Sequence, residues 1–210
     1  MYEECYLQKV INSMESLKLI KPTIEYKDQV LQAVQEFFDI NSNIYWVGWL
    51  IKSLDNYELW LEQVDNDEDK ETLPEWRVPA KQFILIREFD NKLIWFIQAR
   101  LELNENLLQH WWHIWYSICP SERRKNYATA QLFSVLDLYN TLWVNEVLVT
   151  CDKTNIWSAK TIQKCGWILE NELIDPTDWE LIQRYWIDVK KWIEKWKSFF
   201  ENMWFDVKIS

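Results

Sequence analysis

Glycine is almost missing from this chain. It occurs twice in 210 residues, where average usage of about 7% would supply roughly 15. A chain of this length needs several backbone positions with φ > 0, at tight turns and helix ends, and glycine fills them at the least steric cost. Tryptophan, in contrast, occurs 16 times, and several copies stand where glycine is expected. Trp179 follows Asp178 between two strand-like runs, where Asp-Gly would make a tight hairpin. Trp143 lies between a helical segment and the run Glu146–Thr150, a natural C′ position. Trp76 follows Pro74-Glu75 in a turn-like stretch, and Trp111-Trp112 interrupt two strand candidates. Two readings are open. In the first, codons UGA, which some bacterial lineages read as glycine, have been written as tryptophan. In the second, the protein is tryptophan-rich in fact. Trp60 and Trp186 lie inside apolar-patterned segments and read as tryptophan either way.

Long apolar runs are lacking too. No stretch of about 18 apolar residues occurs, so no transmembrane helix is expected. The start, Met1-Tyr-Glu-Glu-Cys5, has neither the basic residues nor the apolar stretch of a secretion signal, which makes the cytoplasm the expected location. Cysteine pairs are absent: Cys5, Cys119, Cys151 and Cys165 stand singly, and read as reduced, mostly buried thiols rather than a zinc site. His110 and His113 have no third ligand nearby, so a structural role is expected and no metal. Positive charge is in deficit, and the net charge of -10 makes nucleic acid a poor partner. Against that background Arg123-Arg124-Lys125 is a local cationic cluster, suited to a small polyanion or else a solvated basic turn. What the chain has in quantity is hydrophobic residues, 49% of the total, enough for a full-sized core.

The periodicities predict a mixed sheet with helices on its faces, an α/β architecture. Residues 1–16 read as a short helical leader, 17–190 as one domain, and 191–210 as an amphipathic helical tail. Within the domain, Leu17–Ile20 alternates like a strand, and Tyr26–Phe38 and Tyr57–Val64 carry helical spacing. Lys81–Glu88 and Leu93–Leu103 read as paired strands joined at Asp90-Asn91, and His113–Cys119 as a strand stopped by Pro120. Ala128–Tyr139 is helical, Glu146–Cys151 a strand, Ser158–Cys165 a helix, and Ile168–Ile174 with Leu181–Val189 a hairpin. In the tail, Trp192, Trp196, Phe199, Phe200 and Met203 share a face that would dock on the domain's own core or make a homodimer contact.

The most informative stretch runs from His113 to Thr129. A strand enters a short loop and the loop opens a helix, whose first N–H groups are unsatisfied and, with the helix dipole, make an anion site. Arg123, Arg124 and Lys125 add donors suited to phosphates, and small Ala128 lets a ligand approach the backbone. These features serve any phosphorylated ligand. Arg123-x-x-Asn126-x-Ala128 also resembles the pyrophosphate loop Arg/Gln-x-x-Gly-x-Gly/Ala of the GNAT superfamily of N-acetyltransferases, and Pro120–Thr129 is similar to a predicted-acetyltransferase subgroup of it. Asn126 departs from the usual glycine, although asparagine tolerates φ > 0 better than most residues. A second block, Val147–Asn155 followed by Ser158–Gly166, resembles the strand, Asn-x-x-Ser/Ala turn and helix of the same superfamily. Glycine would match the subgroup at Trp46, Trp49, Trp76, Trp95, Trp111, Trp112, Trp115, Trp143, Trp157, Trp167 and Trp179.

The resemblance implies a GNAT-like acyl-CoA N-acyltransferase fold with a central, mostly antiparallel sheet. It implies acetyl-CoA as co-substrate, no metal, and direct attack by a primary amine of a small-molecule or peptide acceptor. Cofactor contacts would come from Ile118, Cys119, Arg123, Arg124, Lys125, Asn126, Tyr127, Ala128, Thr129, Asn155 and Ser158, with the backbone near Ile118 and Cys119 polarising the thioester carbonyl. Taken alone, Asn155 reads equally as a helix cap. Glu102, alternating with Arg100 and Asn104, is the candidate base, or half of a surface pair with Arg100. Ile162 stands where many members carry a tyrosine that protonates the leaving thiolate, so Tyr116 and Tyr185 are the candidates for that task. Two other readings compete: a catalytically silent acyl-CoA-binding module, and a tryptophan-rich protein that binds glycans or a membrane surface.

Overall fold

The computed structural model describes residues 15–42, 44, 49–110, 112–176, 178–201 and 205–209. The leader up to residue 14, Trp46, Trp111 and the side chains of Trp196, Phe199, Phe200 and Met203 lie outside the described parts. In chain order the elements are β1 (Glu15–Ile20), α1 (Lys27–Asp39), α2 (Tyr57–Asn66), β2 (Ala80–Arg87), β3 (Lys92–Arg100), α3 (Glu105–His110) and β4 (Ile114–Tyr116). There follow α4 (Tyr127–Thr141), β5 (Glu146–Asp152), α5 (Ile156–Lys164), β6 (Ile168–Ile174), β7 (Leu181–Asp188), α6 (Val189–Glu201) and β8 (Phe205–Ile209).

Two of these elements were not expected. The short helix α3 is started by Asn104, whose Oδ1 accepts from the N–H of Leu107 at 2.9 Å. The tail does not stay helical, because β8 pairs parallel with β1, Glu15 opposite Phe205. Trp192 on α6 docks on the domain's own core: it is buried, meets Phe133 at 4.8 Å and donates its indole N–H to the Cys165 carbonyl.

The strands form two sheets, β4-β3-β2-β1-β8 and β5-β7-β6. Apart from the β1–β8 pair, the strand pairs are antiparallel. Among the described residues the sheets are bridged at His113 and Leu148. The N–H of His113 donates to the Leu148 carbonyl, and the N–H of Leu148 donates to His113 Nδ1, each at 2.9 Å. β4 leads into α4 and β5 into α5, and no strand pairing joins β4 to β5, which leaves a gap between the two sheets. Alternation along the strands puts Leu17, Leu19, Leu85 and Ile97 against Leu132 and Val135 of α4. Ile84 and Ile86 face α1 and α2 through Val30, Phe37 and Trp60. Each fully buried side chain of this kind contributes about 1.5–3 kcal/mol before chain entropy is counted.

The backbone identifies which tryptophans occupy glycine's conformational territory. Trp143, Trp179 and Trp95 have φ of 60°, 66° and 149°. Trp143 and Trp179 are 81% and 78% exposed, so no packing of the ring compensates for the conformation. Three helices end in the same Schellman pattern. At α1 the C′ residue is Asn41, with Ser42 N–H bonded to Phe37 and Asn41 N–H to Phe38. At α5 it is Gly166, with Trp167 N–H bonded to Ile162 and Gly166 N–H to Gln163. At α4 it is Trp143, with Val144 N–H bonded to Tyr139 and Trp143 N–H to Asn140. Trp95 sits where the β2–β3 register shifts, and its buried indole N–H finds no acceptor; the same holds for Trp167. Trp76 and Trp157 are exposed but do not have positive φ, so their backbone does not require glycine. Trp60, buried against Tyr57 and Phe96, behaves as an ordinary core tryptophan.

Candidate functional site

The site is built where β4 leaves its sheet. Past Tyr116 the chain stays extended, with Ser117 N–H bonded to the Phe96 carbonyl at 3.2 Å and Cys119 N–H to the Ile94 carbonyl at 3.0 Å. Alternation then points the N–H of Ile118 at the other edge, toward the gap, and it has no acceptor among the described residues. Of the two expected carbonyl-polarising positions, Cys119 is therefore committed to the sheet and Ile118 is open. Pro120 begins a 3-10 turn to Glu122, and the loop then passes through Arg124 at φ 65° and Asn126 at φ 66° before α4. Asparagine thus adopts the left-handed conformation that the glycine of the motif would take. The N–H groups of Lys125, Asn126 and Ala128 have no backbone acceptor among the described residues, so this helix start remains open. Thr129 is already turned inward, its N–H bonded to the Asn126 carbonyl.

The cationic residues have separate tasks. Arg123 straps the loop: its Nε donates to the Ile118 carbonyl at 3.2 Å, its Nη2 to Ser42 Oγ at 3.0 Å, and it lies over Phe37. Arg124 is exposed, its guanidinium 5.3 Å from the Trp157 ring. Lys125 Nζ is 2.7 Å from buried Glu122, and Lys164 Nζ donates to Asn126 Oδ1. Beneath the loop Glu122 also takes Arg87 at 2.8 Å, and Tyr127 OH is bonded to both Arg87 and Glu15. The Asp90 carboxylate first, then Tyr127 and Glu122, hold Arg87 protonated well above its ordinary range. This anchor was missed from the sequence. Lys125 three residues after Glu122 is its only local signal, because Arg87 is 35 residues away.

Across the gap, Asn155 is a helix cap: its Oδ1 accepts from Ser158 N–H at 3.1 Å. Ser158 Oγ lies 2.7 Å from Tyr116 OH, so the two walls meet through hydroxyls. Burial pushes the Tyr116 phenol far up, and pushes Cys151 up to about 11 despite a hydrogen bond with Ser158. Burial likewise raises Cys119 and Cys165, which leaves both as packed thiols rather than nucleophiles. Tyr185 belongs to the core, its hydroxyl donating to Gln183 at 2.7 Å, and Ile162 is fully buried. His113 is buried at the bridge between the sheets, and desolvation with Arg100 nearby lowers it to about 4.

Glu102 requires a correction of place. β3 ends at Arg100; Leu101 N–H still bonds to the Pro79 carbonyl in register with β2, and Glu102 comes after that last rung, so it is not on a strand face. Its carboxylate pairs with Lys70 at 2.5 Å, not with Arg100, whose buried guanidinium donates to the Trp112 carbonyl. It lies beyond the Ala99–Ile114 pair, at the end of β4 away from Ile118. Among the described residues no cluster of three or more His, Cys, Asp or Glu could hold a metal, and no helix is long and apolar enough to cross a membrane.

No protein-family model matches the sequence, and no curated protein matches it. Solved structures do. Spermidine/spermine N-acetyltransferase SpeG from Vibrio cholerae superposes with a TM-score of 0.61 at 15% identity, over 86% of this chain and 96% of that one. The SpeG complex with CoA and spermine gives 0.59 at 15%, over 84% and 98%. The microcin C7 self-immunity acetyltransferase MccE, in complex with acetyl-CoA and AMP, gives 0.59 at 16%, over 81% and 91%. With its split sheet and the open helix start beside the gap, the chain has the GNAT acyl-CoA N-acyltransferase fold.

Proposed function

We propose that this chain is an N-acetyltransferase that moves the acetyl group of acetyl-CoA to a primary amine of a small-molecule or peptide acceptor by direct attack in a ternary complex. The observation that carries the reading is the open row of N–H groups at Lys125, Asn126 and Ala128, flanked by exposed Arg124, beside a gap between two sheets. That donor set fits a diphosphate: backbone amides and a guanidinium converge there, while Glu122 is paired twice and Glu36 is held by the N–H and hydroxyl of Ser121. Structures of the same fold, in complex with CoA and spermine or with acetyl-CoA and AMP, support it.

Arg124 and the loop amides would bind the phosphates, and Arg123 would hold the loop in shape. Ile118 N–H would polarise the carbonyl of the thioester, and Tyr116 would give a proton to the sulfur. Glu102 has no place in this scheme at its observed position, and Tyr185 is committed to Gln183. The silent acyl-CoA-binding module is the second reading. It is favoured by the place of Glu102, the candidate base, which pairs with Lys70 beyond the Ala99–Ile114 pair. Acetyl-CoA incubated with the protein and a panel of primary amines, with thiol release followed by a chromogenic disulfide, separates the two. Amine-dependent release is expected. Binding of acetyl-CoA without release would replace the enzyme by the silent module.

A further inference from the structure

Ser158 has a task that the helix cap does not explain. Its backbone N–H is held by Asn155 Oδ1, so the first turn of α5 is fixed whatever the side chain does. The side chain instead reaches across the gap, 2.7 Å to the Tyr116 hydroxyl, where either oxygen is able to donate. The titratable groups facing that phenol are Cys151 on β5, Cys165 after α5 and Tyr185 on β7. Burial raises all three, so none brings a negative charge to it at neutral pH. The phenol has one proton. If that proton goes to Ser158, none is directed into the gap. If Ser158 donates, the phenol proton is free to turn there.

Building on the acetyltransfer reading, we propose that Ser158 is a positioning residue: its Oγ–H donates to Tyr116 Oη and so aims the phenol O–H at the sulfur of coenzyme A. In the transfer, the bond from the amine nitrogen to the acetyl carbon forms and the carbon–sulfur bond breaks, its electron pair staying on sulfur. The Tyr116 proton moves to that sulfur, and the proton lost by the amine passes to water. The phenolate keeps the Ser158 hydrogen bond until water returns a proton.

The test needs no acceptor. Coenzyme A is bound to the full chain and its thiol is titrated by the ultraviolet absorbance of the thiolate, with affinity measured in parallel. A donor aimed at sulfur stabilises the thiolate, so the bound thiol should titrate about one pH unit lower in the unmodified protein than in Tyr116→Phe, a tenfold effect typical of a hydrogen bond to a charged group. Ser158→Ala should lose most of that shift, and Ser158→Thr, which keeps a hydroxyl, should restore it. Because Asn155 caps through the Ser158 backbone, none of these changes removes the cap. Coenzyme A that binds all four proteins and titrates identically in each overturns the role of Ser158 and leaves the transferase reading standing. Coenzyme A that does not bind the unmodified protein overturns both.

Discussion

The units β4–α4 and β5–α5 repeat one construction and differ at both ends of the helix. Each strand runs through a short loop into a helix that begins at an asparagine and ends in a Schellman pattern. Asn155 keeps φ at -83° and spends its side chain on the Ser158 N–H, which closes the start of α5. Asn126 is left-handed and caps nothing, its Oδ1 taken by Lys164, so the start of α4 stays open beside Arg124. The same residue type thus closes one helix and leaves the other able to receive an anion, and backbone conformation makes the difference. At the far ends the difference is chemical: Gly166 closes α5 and Trp143 closes α4 with the same two hydrogen bonds. A motif whose demand for φ > 0 is met once by glycine and once by an 81% exposed tryptophan fits a glycine codon written as tryptophan.

The largest effect expected concerns the bridge that joins the two units. Burial lowers His113 to about 4 against an ordinary 6.5, so the unfolded chain binds the extra proton more readily. The neutral imidazole therefore contributes stability in full above pH 6.5, about 3 kcal/mol, which is lost as pH falls toward 4. Urea unfolding between pH 7 and pH 4 should show this slope in the unmodified protein and a weaker one in His113→Gln; equal slopes would remove His113 from the bridge. Next come the helix ends. Gly166→Trp should cost about 1–3 kcal/mol, the penalty of a left-handed bulky residue. Trp143→Gly should gain about 1 kcal/mol and raise Tm by about 2–4 °C for a chain of this size. A lower Tm for Trp143→Gly would contradict the glycine reading, as would UGG codons at Trp95, Trp143 and Trp179. Smallest is the cap: Asn155→Ala should cost about 1 kcal/mol of stability with coenzyme A affinity unchanged. A large loss of affinity would mean that Asn155 touches the ligand as well.

The regular elements were legible because alternation and helical spacing act locally. β1, α1, α2, β2, β5 and the β6–β7 hairpin lie within a few residues of where periodicity places them. The loop was legible through Asn126, whose tolerance of φ > 0 is a property of the residue itself. The reading failed where long-range contacts decide. Arg100-Leu-Glu-Leu-Asn104 alternates like a strand, but the ladder with β2 ends at the Leu101–Pro79 rung, and past it Glu102 pairs with Lys70. The strap that Arg123 makes was not legible, because Ser42 and Phe37 are 81 and 86 positions away in the chain. The strand β8 exists only by virtue of β1, at the other end of the sequence.

The open start of α4 is the proposed diphosphate site, and coenzyme A binding by calorimetry tests it most directly. Arg124→Ala should weaken binding by about tenfold, the loss of one charge-assisted contact, and the double variant Arg123→Ala/Arg124→Ala by up to about a hundredfold as the strap that shapes the loop is lost too. Arg124→Ala with unfolding behaviour unchanged and affinity for coenzyme A undiminished would contradict it.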